Sequence, residues 1–138
     1  MAETIFATGS RKTATARVWL IPAATDSKIA DPRAQLVVND QSLDSYFGRS
    51  DLVQLATAPL RTTGTAGQFG LKCTVAGGGL SAQAGAVALA LARALATYNP
   101  DLRKTLKSAE LLKRDPREKE RMKYGLAKRR KRFQWTKR

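Results

Sequence analysis

Hydrophobic positions along the chain change period several times, and each change marks an element. From Gln68 to Val75 the alternation is strict: Phe69, Leu71, Cys73 and Val75 fall on one side, Gln68, Gly70, Lys72 and Thr74 on the other. That is the signature of a strand with one face buried. The β-branched and aromatic content of Thr4 to Thr8 and of Ala14 to Ile21 predicts two further strands, joined as a hairpin through Gly9 to Thr13. Gln35 to Asn39 predicts another short strand, and the two prolines and small polar residues of Pro22 to Ala34 predict a loop before it.

Past Ala76-Gly77-Gly78-Gly79-Leu80-Ser81 the apolar positions stretch to helical spacing. Val87, Leu91 and Leu95 recur beside Ala84, Ala88, Ala92 and Ala96, predicting a long helix whose small residues allow close packing on a sheet. Two shorter helices are predicted at Ser42 to Phe47 and Ser50 to Ala58, with Ser42 and Ser50 as caps and Gly48 and Pro59 as stops; Tyr46 and Phe47 read as core. Asn99-Pro100 ends the long helix, and Leu102, Leu106 and Glu110 among Arg103, Lys104 and Lys107 predict a short basic helix. The apolar run Ala84 to Ala92 is too short for a membrane span, so it is expected to be a core helix.

Charge changes this picture at the C-terminal end. Residues 103–138 hold sixteen Lys and Arg against four Asp and Glu, so +12 of the net +14 lies there, and residues 1–102 carry only +2. The last eleven residues, Lys128 to Arg138, contain seven cations, two aromatics and no acid. Such a segment repels itself and has little aliphatic surface to bury, so it is expected to be extended or loosely helical until it meets a polyanion. Cations that release counterions from phosphate account for a one-signed block with interleaved aromatics. A chain of 138 residues then suits one compact domain plus an appendage, divided into residues 1–102 and a basic extension, 103–138.

The same residues exclude other chemistry. There is no His and one Cys, so disulfides, zinc clusters and His-based catalysis fall away, and no cofactor, metal site or catalytic residue is expected. Cys73 lies on the apolar side of its strand and reads as a small buried hydrophobe. The glycine turn before the long helix suggests a phosphate cradle, yet no Gly-Lys-Ser/Thr follows and the spacing is not Gly-x-Gly-x-x-Gly. Tight turn geometry, or close approach of an RNA backbone to Gly77 and Gly78, explains the glycines better. Arg11, Lys12 and Arg17 gather near one turn, where cations and raised amides make a phosphate grip. Arg114, Arg117, Arg121 and Lys123 extend the basic surface, Asp115 is placed to cap a turn at Pro116, and Glu118 and Glu120 are expected to pair with neighbouring cations. The N-terminus runs directly into strand-like sequence, without the features of a leader, so the protein is expected to work where it is made.

Gly9-Ser10-Arg11-Lys12-Thr13-Ala14-Thr15-Ala16-Arg17-Val18, Gly77 to Ala86, and Arg114-Asp115-Pro116-Arg117 through Thr136-Lys137-Arg138 occur together and in this order. Jointly they resemble the family of the ninth protein of the small ribosomal subunit, in its bacterial or organellar form, from about Thr4 to the C-terminus. The resemblance implies an α/β fold, a two-layer sandwich of a small mixed sheet against helices, with a long basic extended C-terminal tail. It implies a structural component of the subunit head, with ribosomal RNA, peptidyl-site transfer RNA and neighbouring head proteins as partners, and neither an enzyme nor a membrane protein. Carried over, Arg11, Lys12 and Arg17 hold ribosomal RNA, Lys128, Arg129, Arg130, Lys131 and Arg132 line the tail's path, and Thr136, Lys137 and Arg138 face transfer RNA. The location implied is the ribosome, in the cytoplasm or encoded within an organelle. This chain departs from the family in the longer Pro22 to Ala34 loop, in Ala82 for a usual glycine, and in Phe133 and Trp135 flanking Gln134. The alternative from another class is a free basic RNA-binding or RNA-chaperone module, which salt would strip from small subunits more easily than an integral component.

Overall fold

The computed structural model describes residues 4–22 and 36–137. Within them five strands form one mixed sheet: β1 (Ile5–Arg11), β2 (Ala14–Pro22), β3 (Leu36–Val38), β4 (Gln41–Ser42) and β5 (Phe69–Ala76), in the order β1-β2-β5-β3-β4. β3 runs parallel to β5, and the other neighbours are antiparallel. Helices α1 (Leu43–Phe47), α2 (Ser50–Thr62), α3 (Leu80–Tyr98) and α4 (Leu102–Ser108) form the second layer. The predicted two-layer α/β sandwich is therefore the fold. The loop expected from Pro22 to Ala34, and Gln35, lie outside the described residues, apart from Pro22, which is the last residue of β2 and pairs with Phe69.

Alternation decides which face of the sheet is covered. Ala14, Ala16, Val18 and Leu20 of β2 are fully buried, as are Leu71, Cys73 and Val75 of β5 to within a few per cent, and they face α3. Burial pushes the Cys73 thiol up to about 12, which fits its reading as a buried hydrophobe without reactivity. α3 is long and apolar enough to cross a membrane, but its Ala84, Ala86, Val87, Ala90, Leu91 and Leu95 have no exposed surface because they fill the core. Its small residues let the sheet come close: a Cβ on Gly9 would stand 2.3 Å from the carbonyl oxygen of Ala86 and 2.6 Å from the amide nitrogen of Ala90. Arg93 of the same helix donates to the carbonyl oxygen of Thr8 at 2.8 Å, occupying an acceptor on the outer strand.

Several local expectations need correction. β1 continues to Arg11, so the hairpin turn is only Lys12-Thr13, with Lys12 in the left-handed region at φ 53°. Pro59 does not stop α2; it lies inside the helix, which runs on to Thr62. The proline lacks the amide for one helical bond. Burial of Pro59 and Leu60 on the core offsets this, and at the helix end the Pro59 carbonyl accepts from both the Thr63 amide, at 3.1 Å, and the Thr63 hydroxyl, at 2.9 Å. Ser42 caps α1 as expected, its hydroxyl accepting from the Ser45 amide, and Gly48 ends it at φ 62°. Ser50 caps nothing, because the α2 cap is Arg49, without a side-chain bond. α4 ends at Ser108, and Glu110 adopts φ 57° while the Leu111 amide reaches back to the Leu106 carbonyl, a left-handed helix end made without glycine. The core also reaches past Pro100: Leu106 is fully buried, and Leu111 and Leu112 pack against it.

The strand β4 was not foreseen. Asn39 and Asp40 both have positive φ and close a two-residue turn from β3 into β4, the geometry that hairpins of this length prefer. Asn39 also pairs with β5: its carboxamide accepts from the Val75 amide at 2.9 Å and donates to the Val75 carbonyl at 3.0 Å. Next to it the Tyr46 hydroxyl donates to the Gln83 carboxamide oxygen at 2.8 Å, and the Gln83 amide nitrogen donates to the Gly77 carbonyl at 3.0 Å. Gln83 is buried, so this chain ties α1, α3 and the glycine turn together with its polar atoms satisfied. Gln83→Ala orphans partners on both sides and is expected to lower stability by about 1 to 3 kcal/mol. Denaturant titration measures this, and an unchanged midpoint with an unchanged slope would show that the network adds nothing.

Candidate nucleic-acid interface

The residues expected to contact RNA fall into four places. At the hairpin, the two-residue turn pairs Arg11 with Ala14 and Arg17 with Thr8. Because side chains alternate, this register puts Arg11 on the helix side and Arg17 on the opposite, open face, so the three cations do not form one patch. The Arg11 side chain lies across α3 so closely that a Cβ on Gly85 would stand 2.6 Å from its Cδ. Lys12 projects at the turn itself, exposed, and Arg17 is exposed on the sheet.

The glycine turn packs against that same hairpin. Gly77 and Gly78 have φ of 75° and 64°, and their absent side chains leave room for Thr13 and Ala14: a Cβ on Gly77 would stand 2.5 Å from the Thr13 carbonyl oxygen. Both glycines are nevertheless exposed on their outer side. Tight turn geometry thus accounts for them fully, while their bare backbone still presents itself at the surface beside Lys12.

Below the hairpin, the base of the tail is tied down. Asp115 accepts from the Arg117 amide at 3.0 Å, the turn cap expected at Pro116, and its carboxylate also accepts from the Arg117 guanidinium at 2.9 Å and from that of Arg11 at 3.1 Å. Arg114 donates to the Ser10 hydroxyl at 3.1 Å and faces Glu118 at 3.8 Å. The Arg117 guanidinium, the backbone amide beside it and then Arg11 hold the Asp115 carboxyl far below the usual carboxylate range. A depressed acid contributes its contact above the ordinary carboxylate value and loses it only as pH falls through the lowered one, so this anchor is fully charged at neutral pH.

Farther along, Glu120 gathers the tail on itself. It pairs with Lys123 and with Arg130, the latter at 2.7 Å, and its backbone carbonyl accepts from the Arg129 guanidinium. Lys123 and then Arg130 hold its carboxyl below the usual range. Gly125, at φ 76°, opens a compact loop closed by a bridge between Leu126 and Arg132 and by the Ala127 amide on the Lys131 carbonyl at 2.9 Å. The pairing expected for Glu118 and Glu120 is present; the loop was not foreseen, because it depends on contacts ten residues apart. Arg121, Lys128, Lys131 and Arg132 make no ion pair with any described residue. Beyond the loop, Phe133 and Trp135 are exposed, as are Thr136 and Lys137; Arg138 lies outside the described residues.

Electrostatically the tail is a cationic strap with acids only where it must fold back. Among the described residues no group of His, Cys, Asp and Glu is arranged to hold a metal. The comparisons with known proteins agree with this surface. A family model described as ribosomal protein S9/S16 matches residues 9–138, which takes in the hairpin turn, the glycine turn and the whole tail. The small ribosomal subunit protein uS9 of Aquifex aeolicus (strain VF5) is 45% identical over 136 residues, spanning 99% of this chain and 91% of that relative. With the match running from hairpin to tail, the chain belongs to the ribosomal protein S9/S16 family, whose members are RNA-binding structural components of the ribosome and not enzymes.

Proposed function

We propose that the chain is a component of the head of the small ribosomal subunit, with residues 1–102 as its RNA-binding domain and residues 103–138 as a basic extension, packed on the core as far as Leu112 and ordered on RNA beyond it. The observation that carries this is the tail: +12 of net charge on a segment that is unburied beyond Leu112 yet fixed at its base to the hairpin. Lys12, Arg17 and the outer side of Gly77 and Gly78 meet ribosomal RNA at the domain. Arg11, Arg114 and Arg117 act from the anchored base, where one edge of each guanidinium is already held. Arg121, Lys123 and Lys128 to Arg132 take phosphates along the tail, and Thr136, Lys137 and Arg138 contact peptidyl-site transfer RNA. The setting is the ribosome of a bacterial cytoplasm or of an organelle, among neighbouring head proteins.

The tip is the part with the sharpest test. A guanidinium or ammonium on a transfer-RNA phosphate positions the ligand without reading its sequence. Deleting Lys137 and Arg138 is expected to leave assembly intact and weaken retention of peptidyl-site transfer RNA by about 1 to 3 kcal/mol. The dissociation rate of transfer RNA from purified small subunits containing the shortened protein in normal amounts measures this, and rates equal to wild type would overturn the tip's role.

A further inference from the structure

Among the described residues, one face of the sheet carries no helix, and its side chains form a pattern that the tail does not explain. The register aligns Phe6, Trp19, Lys72 and Val37 in a row across four strands, with Arg17 and Thr74 paired in the next row. Phe6 and Trp19 hold their rings 5.3 Å apart at 45°, and Phe6 is 52% exposed. Trp19, Lys72, Thr74 and Ile21 line a shallow depression beside them. Among the described residues, no outward-facing position of β1, β2, β3 or β5 is acidic.

We infer that this open face is a second RNA surface, on which unpaired nucleotides stack against Phe6 and Trp19 while Arg17 and Lys72 neutralise their phosphates. The face has both halves of what a single strand needs: aromatic rings for the bases and cations on either side for the backbone. Strand geometry sets the spacing, with Lys72 about 5 Å from Trp19 across the sheet and Arg17 about 7 Å along the strand. Charge complementarity selects the occupant. Two cations with no acid among the described outward-facing strand positions leave a positive field over the exposed Phe6 and half-buried Trp19 rings, which attracts a polyanion with π faces more than a mixed-charge protein surface. The inference rests on the reading of the chain as an RNA-binding ribosomal component, but its residues are separate from the tail's.

The chain contains two tryptophans, Trp19 and Trp135, so Trp135→Phe makes Trp19 the only indole reporter. Titrating this full-length variant with a 12-nucleotide single-stranded RNA, and separately with a duplex of equal length, reads the face directly, while anisotropy of fluorophore-labelled RNA reads total binding, tail included. Saturable quenching of Trp19 by the single strand, several-fold weaker with duplex, is expected. Phe6→Ala is expected to weaken the quenching isotherm about tenfold, and Arg17→Ala with Lys72→Ala to shift it to lower salt, with melting temperatures near the parent's because these side chains are outside the core. RNA binding by anisotropy without Trp19 quenching, or quenching equal for duplex and for Phe6→Ala, would overturn the stacking surface and leave the tail's role standing. Absence of binding in both readouts would overturn the surface and the RNA-binding reading together.

Discussion

Gly9→Val is expected to lower the melting temperature by about 10 °C or more. The position has ordinary extended backbone, so the damage comes from space alone. A Cβ there would meet the Ala86 carbonyl at 2.3 Å and the Ala90 amide at 2.6 Å, both backbone atoms of a helix whose inner side chains are already fully buried. Neither can turn away as a side-chain end would, so β1 must lift from α3. Overpacking of this kind costs about 3 kcal/mol, which for a domain of this size corresponds to the expected drop in melting temperature. Gly64→Ala is the matched control: its φ is 67°, but nothing lies within 4 Å of the added atom, so it meets backbone strain without collision and should lose only about 1 kcal/mol. Thermal melts of the two variants followed by circular dichroism decide the matter, and similar melting temperatures would refute the packing argument.

Removing residues 128–138 should do the reverse, sparing the fold while stripping RNA affinity. None of the described residues among the eleven belongs to the core, and the last described residues packed against it are Leu111 and Leu112. Cooperative unfolding should therefore survive unchanged apart from the exposed Glu120–Arg130 ion pair and the half-buried bond from Arg129 to the Glu120 carbonyl, each of which contributes little. Each phosphate contact removed lowers the log-log salt dependence by about 0.7 to 0.9. If the five consecutive cations Lys128 to Arg132 each hold a phosphate, the slope falls by about four. Filter binding to small-subunit ribosomal RNA between low and moderate salt gives the slope for both chains. An identical slope would show that this stretch does not touch phosphate, and loss of a cooperative melt would show that it supports the domain.

How much of this was legible depended on how locally each feature is determined. Strict alternation in Phe69, Leu71, Cys73 and Val75 gave β5 and its buried face, and the four-residue recurrence of Val87, Leu91 and Leu95 gave α3, because both patterns are written in neighbouring residues. The turn between β1 and β2 was not legible to the residue. Read as five residues rather than two, it left the register open, and register decides that Arg11 turns to the helices while Arg17 turns away from them. The open aromatic face was missed for the same reason: Phe6 and Trp19 meet only once the strands are paired. A composition signal for it existed in the outward positions of β2, where Arg17, Trp19 and Ile21 replace the Ala and Val of the inner side. The Glu120 loop and the Arg11–Asp115 contact join residues ten and 104 apart, and nothing local encodes them.

If the tail binds RNA as proposed, the tie between Asp115 and Arg11 shortens the free part of this second, covalently tethered ligand to the residues beyond Arg117. Once the domain is seated, the tip would search a volume whose radius is bounded by the roughly twenty residues beyond Arg117, at most about 65 Å with the Glu120 loop opened out. Within such a volume a single tip is present at an effective concentration far above that of a separate peptide in solution, so contacts too weak to persist alone become mostly occupied. On this reading, residence of the whole protein would exceed what either the domain or the tail achieves separately. Shortening or loosening the base would lower tip occupancy without altering one atom of the tip.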